Sequence, residues 1–239
     1  MRENSSARLP AGSTARQQRA ERILDVTAEL LELHGYRRVT IDDVAGRAGV
    51  GKGTVYLHWK TREALFWAVL QREALRLFDQ LLVELGKDDE LALPHRLMYL
   101  IFLEVTRRPL VNALLLSDPV VLGNLAGDDS VRSAQQELAE NTNYLQLVAE
   151  QGILRADRTV KQAGHILVNV TRGFLDDPRS SDEDALPVEE RARLLSEVLR
   201  RSLEVDTVPA AALAPLNSKV VAMFTEMADA HREQLQRSY

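Results

Sequence analysis

The stretch from Gly46 to Thr54, GRAGVGKGT, has the residue types of an anion-binding turn. Closely spaced glycines let backbone N–H groups wrap a phosphate at a helix start, while a neighbouring lysine neutralises its outer charge. Taken as a phosphate loop, it would make the chain a nucleotide kinase. That chemistry needs a buried parallel strand running straight into the first glycine. The approach here is TIDDVA, and a sheet interior would bury Asp42 and Asp43 without partners. No apolar run ends in an aspartate able to hold magnesium; HILVNV comes nearest and stops at Asn169 and Thr171. The glycine turn therefore needs a different setting.

Little other reactive chemistry is available. The chain has no cysteine, which excludes disulfides and thiolate nucleophiles, and His34, His58, His95, His165 and His231 are scattered without metal-ligand spacing. No catalytic group, metal or cofactor is expected. What remains are polar and aromatic side chains stranded in apolar segments. Tyr99 and Phe102 lie in LPHRLMYLIFLEV, Asn112 follows Pro109, Tyr144 sits in a later amphipathic run, and His165, Asn169 and Arg172 lie in HILVNVTRGF. Singly, each is more often a satisfied core or interface group. Together they fit an apolar ligand pocket with a few hydrogen-bonding groups.

The elements that must position these residues are helical almost throughout. Ala20, Ile23, Leu24, Thr27, Leu30, Leu31 and His34 recur at steps of three and four, and Gly35 stops the run. Thr40 with Asp43 three residues on resembles a capping box opening a two-turn helix to Ala48. A long helix follows from about Arg62 through Phe66, Leu70, Ala74, Leu77, Leu81 and Leu85 to Gly86. LPHRLMYLIFLEV is apolar nearly all round and belongs inside a bundle. Further helices are expected over Ser130 to Gln151, Thr159 to Asp176, Val188 to Glu204 and Ser218 to Tyr239, with VDTVPAAALAPLN as an Ala/Pro-rich connection. The fold class is all-α. Residues 1–15, MRENSSARLPAGSTA, lack an apolar core behind a basic start, so they are expected to be a disordered arm and no secretory signal.

Charge divides the chain unevenly. The net charge is −5, yet residues 1–65 carry eleven Lys and Arg against eight Asp and Glu, a net +3, leaving −8 on the remainder. A basic head on an acidic body suits a nucleic-acid-contacting module attached to something else. No run of eighteen uncharged apolar residues occurs, so no spanning helix, a soluble chain and a cytoplasmic location are expected.

Two short helices with a tight glycine turn in a basic head describe a helix-turn-helix: Thr40 to Ala48, Gly49-Val50, then about Lys52 to Trp59. The span from Ile23 to Leu70 resembles the tetracycline-repressor-like (TetR) regulators. The resemblance rests on the first helix ending in Gly35-Tyr36, on Thr40, Ile41, Val44, Ala45, Ala48, Gly49 and Val50, on Gly53-Thr54-Val55-Tyr56, and on an aromatic at 59 with Glu63 and Leu65. It implies a DNA-binding head over residues 16–63 and an effector-binding, dimerising helical domain over 64–239. It also implies that Lys52, Gly53 and Thr54 approach base edges, and that Thr40, Tyr56 and His58 contact phosphate. Arg62, where the family usually has lysine, keeps the charge for another phosphate contact. Lysine chemistry agrees with guanine O6 or N7, and the threonine methyl with thymine. Trp59 replaces the usual phenylalanine and, with Val55, is expected in the head's core.

The resemblance further implies a homodimer on palindromic double-stranded DNA, usually repressing, with affinity set by a small-molecule effector. The dimer helices would be Thr159 to Asp176 and Val188 to Glu204, with Val160, Ala163, Gly164, Leu167, Phe174, Leu195 and Leu199 as candidate interface residues. The rival functions are the phosphate-loop kinase and a helical carrier whose head binds only protein. Arg2, Arg8 and Arg16 of the arm could reach a minor groove, although a solvated tail is the simpler expectation.

Overall fold

The computed structural model describes residues 11–123, 125, 143–177, 182 and 184–237. The head comprises α1 (Ala11–His34), α2 (Ile41–Ala48) and α3 (Lys52–His58). α4 (Arg62–Leu85) leads from the head into the body. The body continues with a 3₁₀ turn (Asp89–Ala92), α5 (Pro94–Thr106), α6 (Pro109–Leu116), α7 (Pro119–Leu122), α8 (Asn143–Glu150), α9 (Val160–Leu175), α10 (Val188–Leu203) and α11 (Ala210–Arg237). Among the described residues, no helix is long and apolar enough to cross a membrane.

Each head helix follows from its local sequence. Along α1 the stripe Ala20, Ile23, Leu24, Thr27, Leu30 and Leu31 is buried, and Gly35 at φ 71° ends the helix in a left-handed turn. α1 starts at Ala11, so its last residues before Arg16 are helical where a disordered arm was expected. Arg2 and Arg8 lie outside the described residues.

α5 fills the centre of the body and packs against α4, α6, α9 and α10. It buries Leu97, Met98, Phe102, Leu103 and Val105, as an all-round apolar helix must. Of the helix expected over Ser130 to Gln151, residues 130–142 lie outside the described residues; Asn143–Glu150 is helical and Gly152 at φ 69° follows it.

The last helix differs most from expectation. VDTVPAAALAPLN is not a connection beyond Pro209: α11 starts at Ala210 and continues through Pro215. A proline in the second turn forfeits one backbone bond, while the alanines around it favour helix and the next two residues anchor it. Leu216 is fully buried, and Asn217 Nδ2 donates to Leu85 O (3.0 Å) and Asp89 Oδ1 (2.7 Å). From there α11 runs antiparallel along α4. Phe224 meets Phe78 with ring centroids 6.0 Å apart, Arg232 pairs with Asp79 at 3.0 Å, and Gln71 Nε2 donates to Gln234 Oε1 at 2.6 Å.

Candidate functional site

The turn that carries the glycine-lysine motif lies between two helices. Thr40 caps α2, its hydroxyl accepting from Asp43 N (3.2 Å) while Thr40 N donates back to Asp43 Oδ2 (3.0 Å). Gly46 lies inside α2, and Gly49 at φ 67° turns the chain. Because a helix and not a strand enters the turn, the phosphate-loop setting is absent and the kinase alternative falls. Val50 N then bonds Ala45 O at 3.0 Å, and Gly51 opens α3 without a side-chain cap. α2 buries Ile41, Val44, Ala45 and Ala48 against the head, so α3 is held by an apolar platform.

α3 buries Val55 and His58 and turns the rest of its surface outward. Lys52, Gly53, Tyr56 and Leu57 are exposed and Thr54 is half-buried. A Cβ added at Gly53 would meet nothing within 4 Å, so the middle of this face is bare backbone. Arg37, Arg38 and Lys60 are also exposed on the head. Leu57, 69% exposed, carried no sequence signal of its own beyond being one residue out of step with the buried stripe. Lys52 Nζ lies 2.8 Å from Asp42 Oδ2, and that hydrogen bond holds the Lys52 pKa above the ordinary lysine value.

Three residues expected at phosphate sit differently. His58 falls three residues after Val55 on the inward stripe, its ring 5.3 Å from that of Trp59, and its Nδ1 is buried with no hydrogen-bond partner. Burial, with Arg16 and Arg19 nearby, pushes its pKa below the usual histidine value. A side chain so placed supports the head's core and does not face solvent. Arg62 is turned inward: its guanidinium lies 4.5 Å from the Tyr36 ring centroid and 5.5 Å from that of Phe66, and Nη1 donates to Val39 O at 3.3 Å. The Thr40 hydroxyl is committed to its cap, donating to Asp43 Oδ2 at 2.6 Å.

Tyr36 forms the joint between head and body. Its OH donates to Glu63 Oε1 at 2.9 Å, its ring meets Phe66 edge-on, and its N–H donates to Val121 O at 3.3 Å. Gly123 presses on this ring with φ 53°; a Cβ there would lie 2.2 Å from Tyr36 Cδ1. A void of about 10 Å³ remains among Leu31, Tyr36, Phe66, Leu70, Leu110 and Leu122.

The ligand candidates do not line one common space. Phe102 is fully buried beneath the Arg191 guanidinium (5.4 Å), and the buried Tyr144 OH donates to Ala92 O at 2.8 Å. Both therefore serve packing. His165 and Asn169 stand on the exposed side of α9, where Asn169 Nδ2 donates to His165 O (2.8 Å), and Arg172 reaches Leu116 O (3.2 Å). Tyr99 is half-buried. Asn112 keeps a distinct character: its Oδ1 on α6 is buried without a partner, as is Thr171 Oγ1 on α9, a helix that touches α6.

The expected interface residues divide into two sets. Ala163, Leu195 and Leu199 are fully buried within the chain and so cannot face a partner. Val160, Gly164, Leu167 and Phe174 are half-buried along α9. On α10 the outward apolar residues are Leu194 (41% exposed) and Val198 (40%), one position before each inward leucine. The apolar stripe of α10 is wide enough for two neighbours, and the sequence does not say which edge faces in.

Residues 23–69 match the family model described as bacterial regulatory proteins, tetR family. An uncharacterised HTH-type transcriptional regulator of Mycobacterium bovis is 30% identical over 113 residues, covering 41% of this chain and 53% of that protein. The HTH-type transcriptional repressor KstR of Rhodococcus jostii is 35% identical over 95 residues, covering 40% of this chain and 42% of that one. The matched stretch thus spans about half or less of these relatives. The crystal structure of FadR from Bacillus subtilis in complex with stearoyl-CoA shares the fold, with a TM-score of 0.58 at 15% identity over 75% of this chain and 96% of that one. The capped α2, left-handed Gly49 and outward-facing α3 all lie within residues 23–69, the span that matches the tetR family model of bacterial regulatory proteins.

Proposed function

We propose that the chain is a cytoplasmic, sequence-specific DNA-binding transcription regulator that acts as a homodimer on a palindromic operator. The observation that carries this is the outward face of α3. Lys52, bare Gly53 and Tyr56 are exposed and Thr54 is half-buried on a helix that turns Val55 and His58 inward, on a head whose charge is net positive. Lys52 and the Thr54 methyl suit base edges, and the Tyr56 hydroxyl, with Arg37, Arg38 and Lys60, suits phosphates. Gly53 allows the backbone itself to come close to the duplex.

Dimerisation through the outer face of α9 and α10 fits Leu194 and Val198 together with half-buried Val160, Leu167 and Phe174. Two heads would then reach successive major grooves, which makes half-site spacing the quantity an effector can change. The effector is a small, largely apolar molecule with a hydrogen-bond donor. The buried, unpartnered oxygens of Asn112 on α6 and Thr171 on α9, two helices in contact, support such a donor, because unmet buried polar groups cost free energy that a ligand would recover. Acyl-CoA thioesters of graded length are the first probes, given the ligand of the FadR relative.

The deciding experiment is selection of bound duplexes from a random pool, followed by titration at several salt concentrations. A palindromic consensus bound with a steep salt dependence is expected. Retention of no duplex at low salt would favour the helical carrier. Tyr56→Phe should weaken specific and random DNA alike, and unchanged affinity for both would remove Tyr56 from the phosphate contacts.

A further inference from the structure

The Asp42–Lys52 pair has little to do with holding the head together. Asp42 is the second residue of α2 and Lys52 the first of α3, ten apart in the chain, and the glycine turn brings Oδ2 and Nζ to 2.8 Å. Their side chains remain 69% and 50% exposed, and so open an ion pair contributes next to nothing to stability. The capping of α2 is done by Asp43, leaving Asp42 free of that duty. A carboxylate at the tip of a helix-turn-helix also repels DNA phosphates, so its presence calls for a compensating contact.

We propose that Asp42 and Lys52 together read one G·C base pair in the major groove, Lys52 donating to guanine and Asp42 accepting from the cytosine N4 amine. The assignment rests on α3 being the DNA-reading helix. An ammonium has three N–H donors; one is engaged by Asp42, which leaves two for guanine O6 and N7. The carboxylate has lone pairs to spare for the cytosine amine. Guanine O6 and cytosine N4 are themselves hydrogen-bonded neighbours at about 2.9 Å, so the 2.8 Å between Nζ and Oδ2 matches the spacing of the groups they would meet. An A·T pair offers adenine N7 and N6 but leaves one ammonium proton and thymine O4 without counterparts. A reversed C·G pair sets the amine against the ammonium. The pair therefore selects both composition and strand orientation.

The test is selection from a random duplex pool with the intact protein, Asp42→Ala and Lys52→Met. The wild type should fix one G·C pair in each half-site. Either variant should relax that same position by about tenfold to a hundredfold, and the double variant should lose little more, because the two act as one reader. Asp42→Ala should also raise affinity for random DNA while Lys52→Met lowers it, a split that a purely structural role would not produce. Unchanged preference in Asp42→Ala, relaxation at two different positions, or an A·T pair fixed at the shared position overturns the paired reader while leaving DNA binding intact. Selection of no sequence by the wild type overturns both.

Discussion

Gly123→Ala places a methyl group where the structure has no room for it. Its Cβ would lie 2.2 Å from Tyr36 Cδ1 and 2.7 Å from Cγ, against an ordinary contact of about 3.5–4 Å. The ring cannot retreat cheaply. It is 2% exposed, meets Phe66 edge-on at 5.2 Å, carries the Arg62 guanidinium over its face and is tied by its hydroxyl to Glu63. Overpacking of this kind costs about 1–3 kcal/mol, and a side chain at φ 53° adds roughly 1 kcal/mol of backbone strain. The sum, about 2–4 kcal/mol, should lower the melting temperature by about 5–15 °C in a chain of this length. The double variant with Tyr36→Ala separates the two costs, since removing the ring relieves the clash but not the strain. The assay is thermal unfolding followed by circular dichroism. A Gly123→Ala protein melting within about 1 °C of the wild type would show that Gly123 and Tyr36 are not pressed together as described.

Acid should weaken the head through His58. Its folded pKa is depressed, so the folded state binds fewer protons, and the stability it confers, present above about pH 6.5, is lost as pH falls below that value. His58→Phe should therefore show a shallower drop in melting temperature between pH 7.5 and 5.5 than the wild type, and parallel curves would refute the assignment. If the chain dimerises as proposed, Leu194→Asp with Val198→Asp should give a monomer by light scattering and weaken operator binding; a dimer that persists would place the interface elsewhere. Asn217→Leu, which leaves Leu85 O and Asp89 without their donor, should cost about 2–3 kcal/mol in urea unfolding, with little effect on DNA affinity at 25 °C. An Asn217→Leu protein as stable as the wild type would mean that the start of α11 is not anchored there.

The head was legible because short-range chemistry writes it. Thr40 and Asp43 announce a cap, Gly49 a left-handed turn, and the apolar steps of α1 a single buried stripe. What the sequence could not say is which way individual polar side chains point. His58 has the chemistry of a phosphate contact, and only its phase relative to Val55 puts it inside. Arg62 could reach outward, but the aromatic faces of Tyr36 and Phe66 offer it an inward berth. The body was less legible for a related reason. Leu195 and Leu199 differ from Leu194 and Val198 by one position, and hydrophobicity alone does not separate a core from an interface. The proline at 215 misled because a breaker near a helix start costs only one bond.

The clasp of α11 along α4 has a mechanical consequence. Fastened at Leu85, Asp79 and Gln71, that part of α4 is a double beam about 21 Å long that resists bending. The first nine residues of α4, about 13 Å, carry the head and are themselves held: Leu65, Phe66, Ala68 and Val69 are fully buried, and just beyond them Arg72 and Arg76 tie α4 to Glu21 and Asp25 of α1. The head is thus fastened to the same stretch of α4 that α11 braces, so a displacement of α4 at the clasp carries α1 with it. Shortening the last helix would remove the brace at Gln71 from the segment that anchors α1, so the two reading heads of the proposed dimer would hold their spacing less firmly even with every DNA-facing residue in place.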